Sequence, residues 1–125
     1  MDRKAAGVLL ICESTGNFLL LERSDIVTFP KCWAVVGGAI EENETPLIAI
    51  KRELKEETDI DSEDILFEFL ESQYILRPFD LFIGYCDKEY ECKLNDENSD
   101  WGWFSMNNLP EPLFPTLYSS LVRIF

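Results

Sequence analysis

Four glutamates and one arginine have the types and spacing of a metal site. Glu53, Glu56 and Glu57 fall within one arc of roughly 100° if the stretch is helical, because each residue of an α-helix advances by about 100°. Three ionised carboxylates on one helical face repel each other, so the arrangement is stabilised only around a cation. Arg52 lies beside these acids and can fix a carboxylate through bidentate hydrogen bonds, and Glu44 precedes it.

The predicted ligands are all oxygen atoms, and carboxylate oxygens suit Mg²⁺ or Mn²⁺. Mg²⁺ held by a few carboxylates usually takes its remaining ligands from water and substrate phosphate. An acidic run on a helix is, taken alone, more often a solvated surface. The glycine pair Gly37-Gly38 before the helix favours the metal site, because glycine lets the backbone approach a ligand closely.

The helix that carries these acids is predicted to begin near Thr45 and to end at Thr58-Asp59. Thr45 is a suitable N-cap, and Pro46 fits the first helical position. Asp59 stands where a positive φ is often needed, which aspartate tolerates better than most residues. A stripe with helical spacing is predicted to face the core, with the acids on the neighbouring side of the helix. This stripe consists of Leu47, Ile50 and Leu54.

The rest of the chain alternates apolar runs with turn signals and predicts a mixed sheet with helices on its faces, an α/β (α+β) fold. A break is predicted at Arg77-Pro78, and the third strand is predicted to end at Gly37-Gly38 with positive φ. A second helix is predicted over 116–125, with Leu117, Leu121 and Ile124 inward. Loops are predicted at 22–31 and 95–100, and strands at 5–12, 18–21, 32–36, 65–70, 74–87, 89–94 and 101–104.

The composition excludes several classes of function. The 125 residues predict a single domain, 1–125, and they carry a formal charge of −13 from 11 basic and 24 acidic side chains. Such a surface is expected to bind neither nucleic acid polymers nor anionic membranes. The chain has no histidine, which excludes His-containing zinc sites and Ser-His-Asp triads.

The cysteines predict a reducing environment. No pair has CxxC spacing, so we expect reduced, mostly buried thiols in a cytoplasmic protein. The first apolar run is too short to span a membrane and is better interpreted as a strand. The four cysteines are Cys12, Cys32, Cys86 and Cys92.

Gly38, Glu44 and the stretch 52–60 together resemble the Nudix box of the Nudix hydrolase superfamily, of the MutT-like type. The family pattern is G-x5-E-x7-R-E-U-x-E-E-x-G-U, where U is aliphatic. Every fixed position matches except the last glycine, where Asp59 stands. The resemblance extends to Trp33 before the box and to the stretches 97–104 and 108–110 after it.

The resemblance implies an α/β/α sandwich around a mixed β-sheet and a reaction class. The expected reaction is the Mg²⁺- or Mn²⁺-dependent hydrolysis of a diphosphate linkage in a nucleoside diphosphate joined to a group X. Arg52 and Glu44 match positions that orient the carboxylates, and Gly38 matches a carbonyl of the metal shell. One of the acids deprotonates the attacking water. The positions matched as metal ligands are Glu53, Glu56 and Glu57, and Glu97 in the downstream loop is a further candidate ligand or base.

Three classes of ligand or function stay open at this point. A nucleoside triphosphate, (d)NTP, or a similarly compact nucleotide is favoured, with ADP-ribose or a nucleotide sugar as the alternative. A non-catalytic nucleotide-binding module is a third reading, although such modules usually lose box carboxylates. The stretch 113–117 resembles the segment that holds the purine in enzymes acting on oxidised nucleotides. The resemblance also allows a homodimer. Candidate substrate contacts are Arg23, Gly37, Tyr74, Arg77 and Phe79.

Overall fold

The apolar runs form one mixed sheet of seven strands, with a helix on each face, in the computed structural model, which describes residues 3–125. The first two residues of the predicted domain lie outside the described part. The strands are β1 (Ala5–Cys12), β2 (Phe18–Arg23), β3 (Trp33–Ala34), β4 (Val36–Ala39), β5 (Leu66–Ile75), β6 (Arg77–Cys86) and β7 (Asn98–Phe104), and the helices are α1 (Pro46–Thr58) and α2 (Leu117–Ile124).

Strand β1 is the centre of the sheet, whose order is β3-β2-β1-β6-β5. It runs parallel to β6 and antiparallel to both β2 and β4. One edge of β1 is divided: its first half, from Ala5 to Val8, pairs with β4, and Ile11 pairs with β2. Strand β7 pairs with β2 as far as Asn98. This division places β4 and the start of β7 at the same end of the sheet.

The alternation of side chains along β1 builds two cores, since successive residues of a strand point to opposite faces. Helix α1 covers one face and α2 covers the other, which confirms the predicted α/β/α sandwich. The first core includes Val8, Leu10, Ile50 and Leu54, and the second includes Leu9, Ile11, Leu117 and Leu121.

Both predicted ends of α1 are confirmed. The Thr45 hydroxyl accepts a hydrogen bond from the Ile48 amide at 3.2 Å, and Pro46 is the first helical residue. Asp59 takes the left-handed conformation, with φ of 64°, and its amide donates to the Lys55 carbonyl. The sequence therefore places the box on a helix with defined ends.

The predicted apolar stripe of α1 is wrong at Leu47, which is 37% exposed. Leu47 shares the direction of buried Leu54 but stands in the first turn of the helix, and two acids, Glu53 and Glu57, also occupy the buried face. The acids thus lie on the packed side of the helix, not beside it. The complete buried set is Ala49, Ile50, Glu53, Leu54, Glu57 and Thr58.

The predicted break at Arg77-Pro78 is also wrong. Strands β5 and β6 form a hairpin that turns at Leu76, where φ is 64°. Pro78 lies near the start of β6, opposite Tyr74. It is tolerated there because pairing with β1 begins only at Phe79, so its missing N–H removes no hydrogen bond to β1.

The stretch 89–94 is not a strand, although its residues alternate. Its backbone groups make hydrogen bonds that belong to no pair of strands. The Tyr90 carbonyl accepts from the Trp103 indole at 2.9 Å, and the Lys93 amide donates to the Thr58 carbonyl at 3.0 Å. The apolar members of the alternation, Tyr90, Cys92 and Leu94, pack on the first core. Alternating burial therefore arises here without strand pairing.

Two further boundaries differ from prediction. The third apolar run continues through Gly37-Gly38 as β4, and neither glycine has a positive φ. Strand β7 begins at Asn98, inside the predicted acidic loop, because it pairs with an extended β2 that ends at Arg23. All four cysteines are free. Neither helix within residues 3–125 has the length and apolarity needed to cross a bilayer.

The left-handed Asp59 gives a stability prediction. Asp59→Gly should raise the melting temperature by roughly 3 °C, because glycine adopts this conformation without a Cβ clash, and Asp59→Ala should lower it by a similar amount. Differential scanning calorimetry measures both.

The control is Asp61→Ala, which removes the other carboxylate bonded to Lys55, at 3.1 Å, without a positive φ. It should shift the melting temperature by less than about 1 °C. Equal losses in Asp59→Ala and Asp61→Ala would assign the effect to the ion pairs, not to the backbone.

Candidate active site

The site begins where α1 lies against β4. A Cβ atom on Gly37 would lie 2.4 Å from the Ala6 carbonyl oxygen, and one on Gly38 would lie 2.7 Å from the Glu53 Oε1 atom. Both distances are shorter than any van der Waals contact. The glycines are therefore required for close approach to β1 and to the helix, since no positive φ requires them.

Glu57 is the most buried acid of the site, with 4% of its surface exposed. Its Oε2 atom accepts from the Gly37 backbone amide at 3.2 Å, and its Oε1 atom accepts from the Asn98 side-chain Nδ2 atom at 2.9 Å. Burial raises the pKa of Glu57 well above its ordinary value, and the neighbouring Glu53 carboxylate raises it further. A buried carboxylate beside another carboxylate is the environment that a bound cation stabilises.

Glu97 completes a cluster of three carboxylates. It precedes β7, and one carboxylate oxygen each from Glu53, Glu57 and Glu97 lies within 4.8 Å of the others. Glu53 and Glu57 are buried and Glu97 is exposed. Three convergent oxygens with one exposed side fit a Mg²⁺ or Mn²⁺ ion that keeps open positions for water and phosphate.

Arg52 joins the separate parts of the box. Its Nε and Nη2 atoms donate to the two oxygens of Glu44 at 2.7 and 2.9 Å, and Nη2 also donates to the Ala39 carbonyl at 3.0 Å. Its Nη1 atom donates to Glu53 at 2.8 Å. The hydrogen bonds from Arg52 lower the pKa of Glu44 to about 2. Arg52 and Glu44 thus orient Glu53 and link α1 to β4.

Glu56 is the predicted ligand that lies apart. Its side chain is 51% exposed, accepts from Arg52 Nη1 at 3.2 Å, and does not belong to the three-oxygen cluster. It nevertheless lines the same cleft. Its role as a ligand stays a prediction.

Two adjoining cavities surround the cluster. An acidic cleft of about 550 Å³ contains the clustered glutamates, and a mainly apolar pocket of about 300 Å³ lies beside it. The apolar wall includes Phe79, Leu81 and Phe114. Residues shared by both cavities mark their boundary, and three of these six are arginines: Arg3, Arg23, Thr28, Gly37, Gly38 and Arg77.

The structure brings four of the five predicted substrate contacts to these cavities: Arg23, Gly37, Arg77 and Phe79. Tyr74 lines neither cavity and is 70% exposed, because it points to the opposite side of β5 from Gln73.

Arg23 is fixed in place at this boundary. It donates to the Thr28 carbonyl at 2.7 Å and to the Thr28 hydroxyl at 3.0 Å, and its guanidinium lies 5.3 Å from the centre of the Phe114 ring. Burial lowers its pKa, and the charges of Glu57 and Glu97 oppose this change.

Two residues of the site, Asn98 and Arg3, were not predicted from the sequence. Asn98 orients Glu57, but it lay in a stretch interpreted as an acidic loop. Arg3 lines both cavities because β1 pairs with β4, and its guanidinium donates to the Ile40 carbonyl at 2.7 Å. For Asn98 the available signal was its position directly after Glu97. For Arg3 no signal existed without the strand register.

Known proteins resemble this chain in sequence. The family model of the NUDIX domain matches residues 1–123. The chain is 41% identical over 66 residues to Nudix hydrolase 26, chloroplastic, of Arabidopsis thaliana, covering 53% of this chain and 29% of that protein. It is 42% identical over 65 residues to 8-oxo-dGTP diphosphatase of Proteus vulgaris, covering 49% of this chain and 56% of that protein. The matched segment thus spans about a third of the length of the first relative and about half of the length of the second.

Solved structures share the fold. A MutT NUDIX hydrolase from Burkholderia pseudomallei superposes with a TM-score of 0.78 at 21% identity, covering 100% of this chain and 99% of that one. At this level of identity the likeness concerns the architecture alone.

The glycine contacts give a paired prediction. Gly38→Ala should retain the fold, because the Glu53 carboxylate at the end of a flexible side chain can move, but it should weaken Mn²⁺ binding by at least about tenfold. Gly37→Ala meets backbone and should destabilise the protein by about 2–3 kcal/mol. Isothermal titration calorimetry and urea unfolding measure the two effects. Wild-type Mn²⁺ affinity in a folded Gly38→Ala variant would contradict the role given to the close contact.

The Arg52–Glu44 bonds give a pH prediction. The folded-state pKa of Glu44 lies below its ordinary value of 4.5, so its stabilisation is present above pH 4.5 and is lost as the pH falls towards about 2. Glu44→Gln should therefore lower the melting temperature by roughly 5 °C at pH 7, and this difference should shrink between pH 4.5 and pH 3. Glu42→Gln, at an exposed neighbour, is the control. A difference that stays constant down to pH 3 would refute this account.

Proposed function

The chain belongs to the NUDIX domain family, and on that premise we propose that it is a metal-dependent pyrophosphohydrolase. Its proposed substrate is a nucleoside diphosphate joined to a group X, most suitably a (d)NTP or a similarly compact nucleotide. One observation carries the proposal. The carboxylates of Glu53, Glu57 and Glu97 converge in a cleft that also contains three boundary arginines and adjoins an apolar pocket.

The charges of the site favour a polyanion despite the net charge of −13. Arg3, Arg23 and Arg77 lie between the apolar pocket and the clustered acids, where a phosphate chain would run. A guanidinium binds phosphate oxygens bidentately and keeps its charge at all physiological pH values. These three arginines would therefore hold the phosphates, and the apolar pocket would hold the base.

The donor set fits a divalent cation, since the carboxylates of buried Glu53 and Glu57 and exposed Glu97 converge, and Arg52 binds only Glu53 among them. Mg²⁺ or Mn²⁺ would be held by Glu53, Glu57 and Glu97, with the Gly38 carbonyl and Glu56 as further proposed ligands. When bound, the ion neutralises charge on phosphate oxygens and lowers the pKa of a coordinated water.

Glu97 is the group that we propose to accept the proton of the attacking water. Both oxygens of Glu57 already accept hydrogen bonds, and Glu53 accepts one from Arg52. Within residues 3–125 no side chain or amide donates to the Glu97 carboxylate, which is exposed to the cleft. A general base needs a free oxygen that can reach the water, and the carboxylate of Glu97 at the cleft, which accepts no hydrogen bond from the described part of the chain, supports this assignment.

The size of the apolar pocket supports a compact nucleotide. A volume of about 300 Å³ is at the lower end for ligand pockets and suits one base. Phe114, Pro115, Thr116 and Leu117, from the stretch that resembles a purine-holding segment, line it. Similarity to an 8-oxo-dGTP diphosphatase points in the same direction. ADP-ribose and nucleotide sugars remain the alternative substrates, and a substrate panel separates them.

The decisive experiment is chromatographic detection of the phosphorylated products formed from a panel of (d)NTPs, ADP-ribose and nucleotide sugars, with and without Mg²⁺. We expect turnover only with the metal and highest kcat/KM on a nucleoside triphosphate. Glu57→Gln should reduce kcat by at least about 100-fold while the protein stays folded, because it removes a charged ligand. Glu56→Gln should cost less, since Glu56 lies outside the cluster.

The matched control is Glu63→Gln, an exposed glutamate beyond α1, which should leave kcat unchanged. Undiminished turnover in Glu57→Gln would refute the metal assignment. Absence of turnover on the whole panel, with tight nucleotide binding retained, would instead identify a non-catalytic nucleotide-binding module.

A further inference from the structure

One wall of the apolar pocket is polar, and it is built by residues outside the box. Gln73 on β5, Thr116 before α2 and Ser120 on α2 all line the pocket. Ser120 is 1% exposed, so its hydroxyl is removed from bulk water. A buried polar group at a ligand pocket fixes the orientation of the ligand when it has hydrogen-bonding capacity to spare.

The amide of Gln73 has only one orientation that its partners allow. Its Nε2 atom donates to Glu71 Oε2 at 2.6 Å and to Ser120 Oγ at 2.7 Å. Its Oε1 atom accepts from the Thr116 hydroxyl at 3.0 Å. Exchanging the oxygen and the nitrogen would place the amide oxygen against the Glu71 carboxylate, which has no proton to donate when ionised.

Glu71 stays ionised because Arg123 binds it. Arg123 Nε donates to Glu71 Oε1 at 3.0 Å, and Nη2 binds the second oxygen. These hydrogen bonds lower the pKa of Glu71 to about 2, so it is an obligate acceptor at neutral pH. The ion pair thereby locks the amide of Gln73 from the side away from the pocket.

All polar hydrogens of this wall are committed within the network. Both amide hydrogens of Gln73 are used, the Thr116 hydroxyl donates to Gln73, and the Ser120 hydroxyl donates to Glu71 at 2.7 Å. The Gln73 oxygen accepts one bond and has a second acceptor position. The wall can therefore offer a ligand acceptors and no donors.

We propose that Gln73 is a specificity-determining residue and that the pocket takes a nucleobase presenting an N–H donor, an exocyclic amino group, to the Gln73 Oε1 atom. This inference rests on the proposed function in one respect, namely that the pocket holds the base. A base with only acceptors at that edge would place its lone pairs against the Gln73 oxygen with no hydrogen between them, so both acceptors would lose water without gaining a hydrogen bond. Glu71 and Arg123 act through Gln73 as positioning residues.

The test measures binding, so that it does not depend on turnover. Dissociation constants of nucleoside 5′-monophosphates are measured by calorimetry without divalent metal, in pairs that differ by one amino group: GMP with IMP, and AMP with purine riboside monophosphate. In at least one pair, the amino-bearing member should bind at least about tenfold more tightly to the wild type. Gln73→Met should reduce that ratio to within about twofold, and Glu71→Gln, whose amide can also donate, should reduce it in part.

Ser119→Ala, at the exposed neighbour of Ser120 on the same helix, is the control and should keep the wild-type ratio. Ratios near one in both wild-type pairs, or no binding of any monophosphate, would overturn the proposal. A ratio retained in a folded Gln73→Met variant would overturn the role of Gln73. Turnover of the substrate panel with Mg²⁺ tests the proposed hydrolase activity separately. An active enzyme that binds both members of each pair equally would contradict only the role of Gln73.

Discussion

The close contact between α1 and β4 is the constraint on which the site depends. Gly37 and Gly38 carry no Cβ, so the helix approaches until the Gly37 amide donates to Glu57 and Glu53 fills the space over Gly38. Such an approach buries two carboxylates side by side, which opposes folding unless hydrogen bonds or a cation compensate. Asn98 supplies one of these hydrogen bonds from a strand on the far side of β2. The cost is thus concentrated where a metal ion would relieve it.

Charge is arranged in layers across this end of the sheet. Arg52 binds Glu44, Glu53 and Glu56, and its hydrogen bonds hold these acids in position. A different set of arginines, which includes Arg23, lies at the boundary with the apolar pocket. The guanidinium groups at this boundary give an acidic protein a local site whose charge favours an anion.

Features encoded by neighbours in sequence were predictable, and features set by strand register were not. The ends of α1 and the spacing of its glutamates follow from local propensity and helical periodicity, so they are predictable from the sequence. The contact between Asn98 and Glu57 joins residues 41 positions apart and depends on how β7 pairs with β2. The strand predicted at 89–94 is wrong because alternating burial arises there from contacts with Trp103 and the end of α1.

The tight β5–β6 hairpin, which turns at Leu76, sets the spacing between two parts of the adjoining cavities. Gln73 and Arg77 lie on opposite sides of that turn, and both line the apolar pocket, one at its polar wall and the other at its boundary with the acidic cleft. Leucine at φ of 64° is an unusual residue for such a bend, so the connection is short at some conformational expense. The hairpin therefore fixes the distance between the polar wall of the pocket and its boundary with the acidic cleft, and changing the number of residues at its tip would alter that distance.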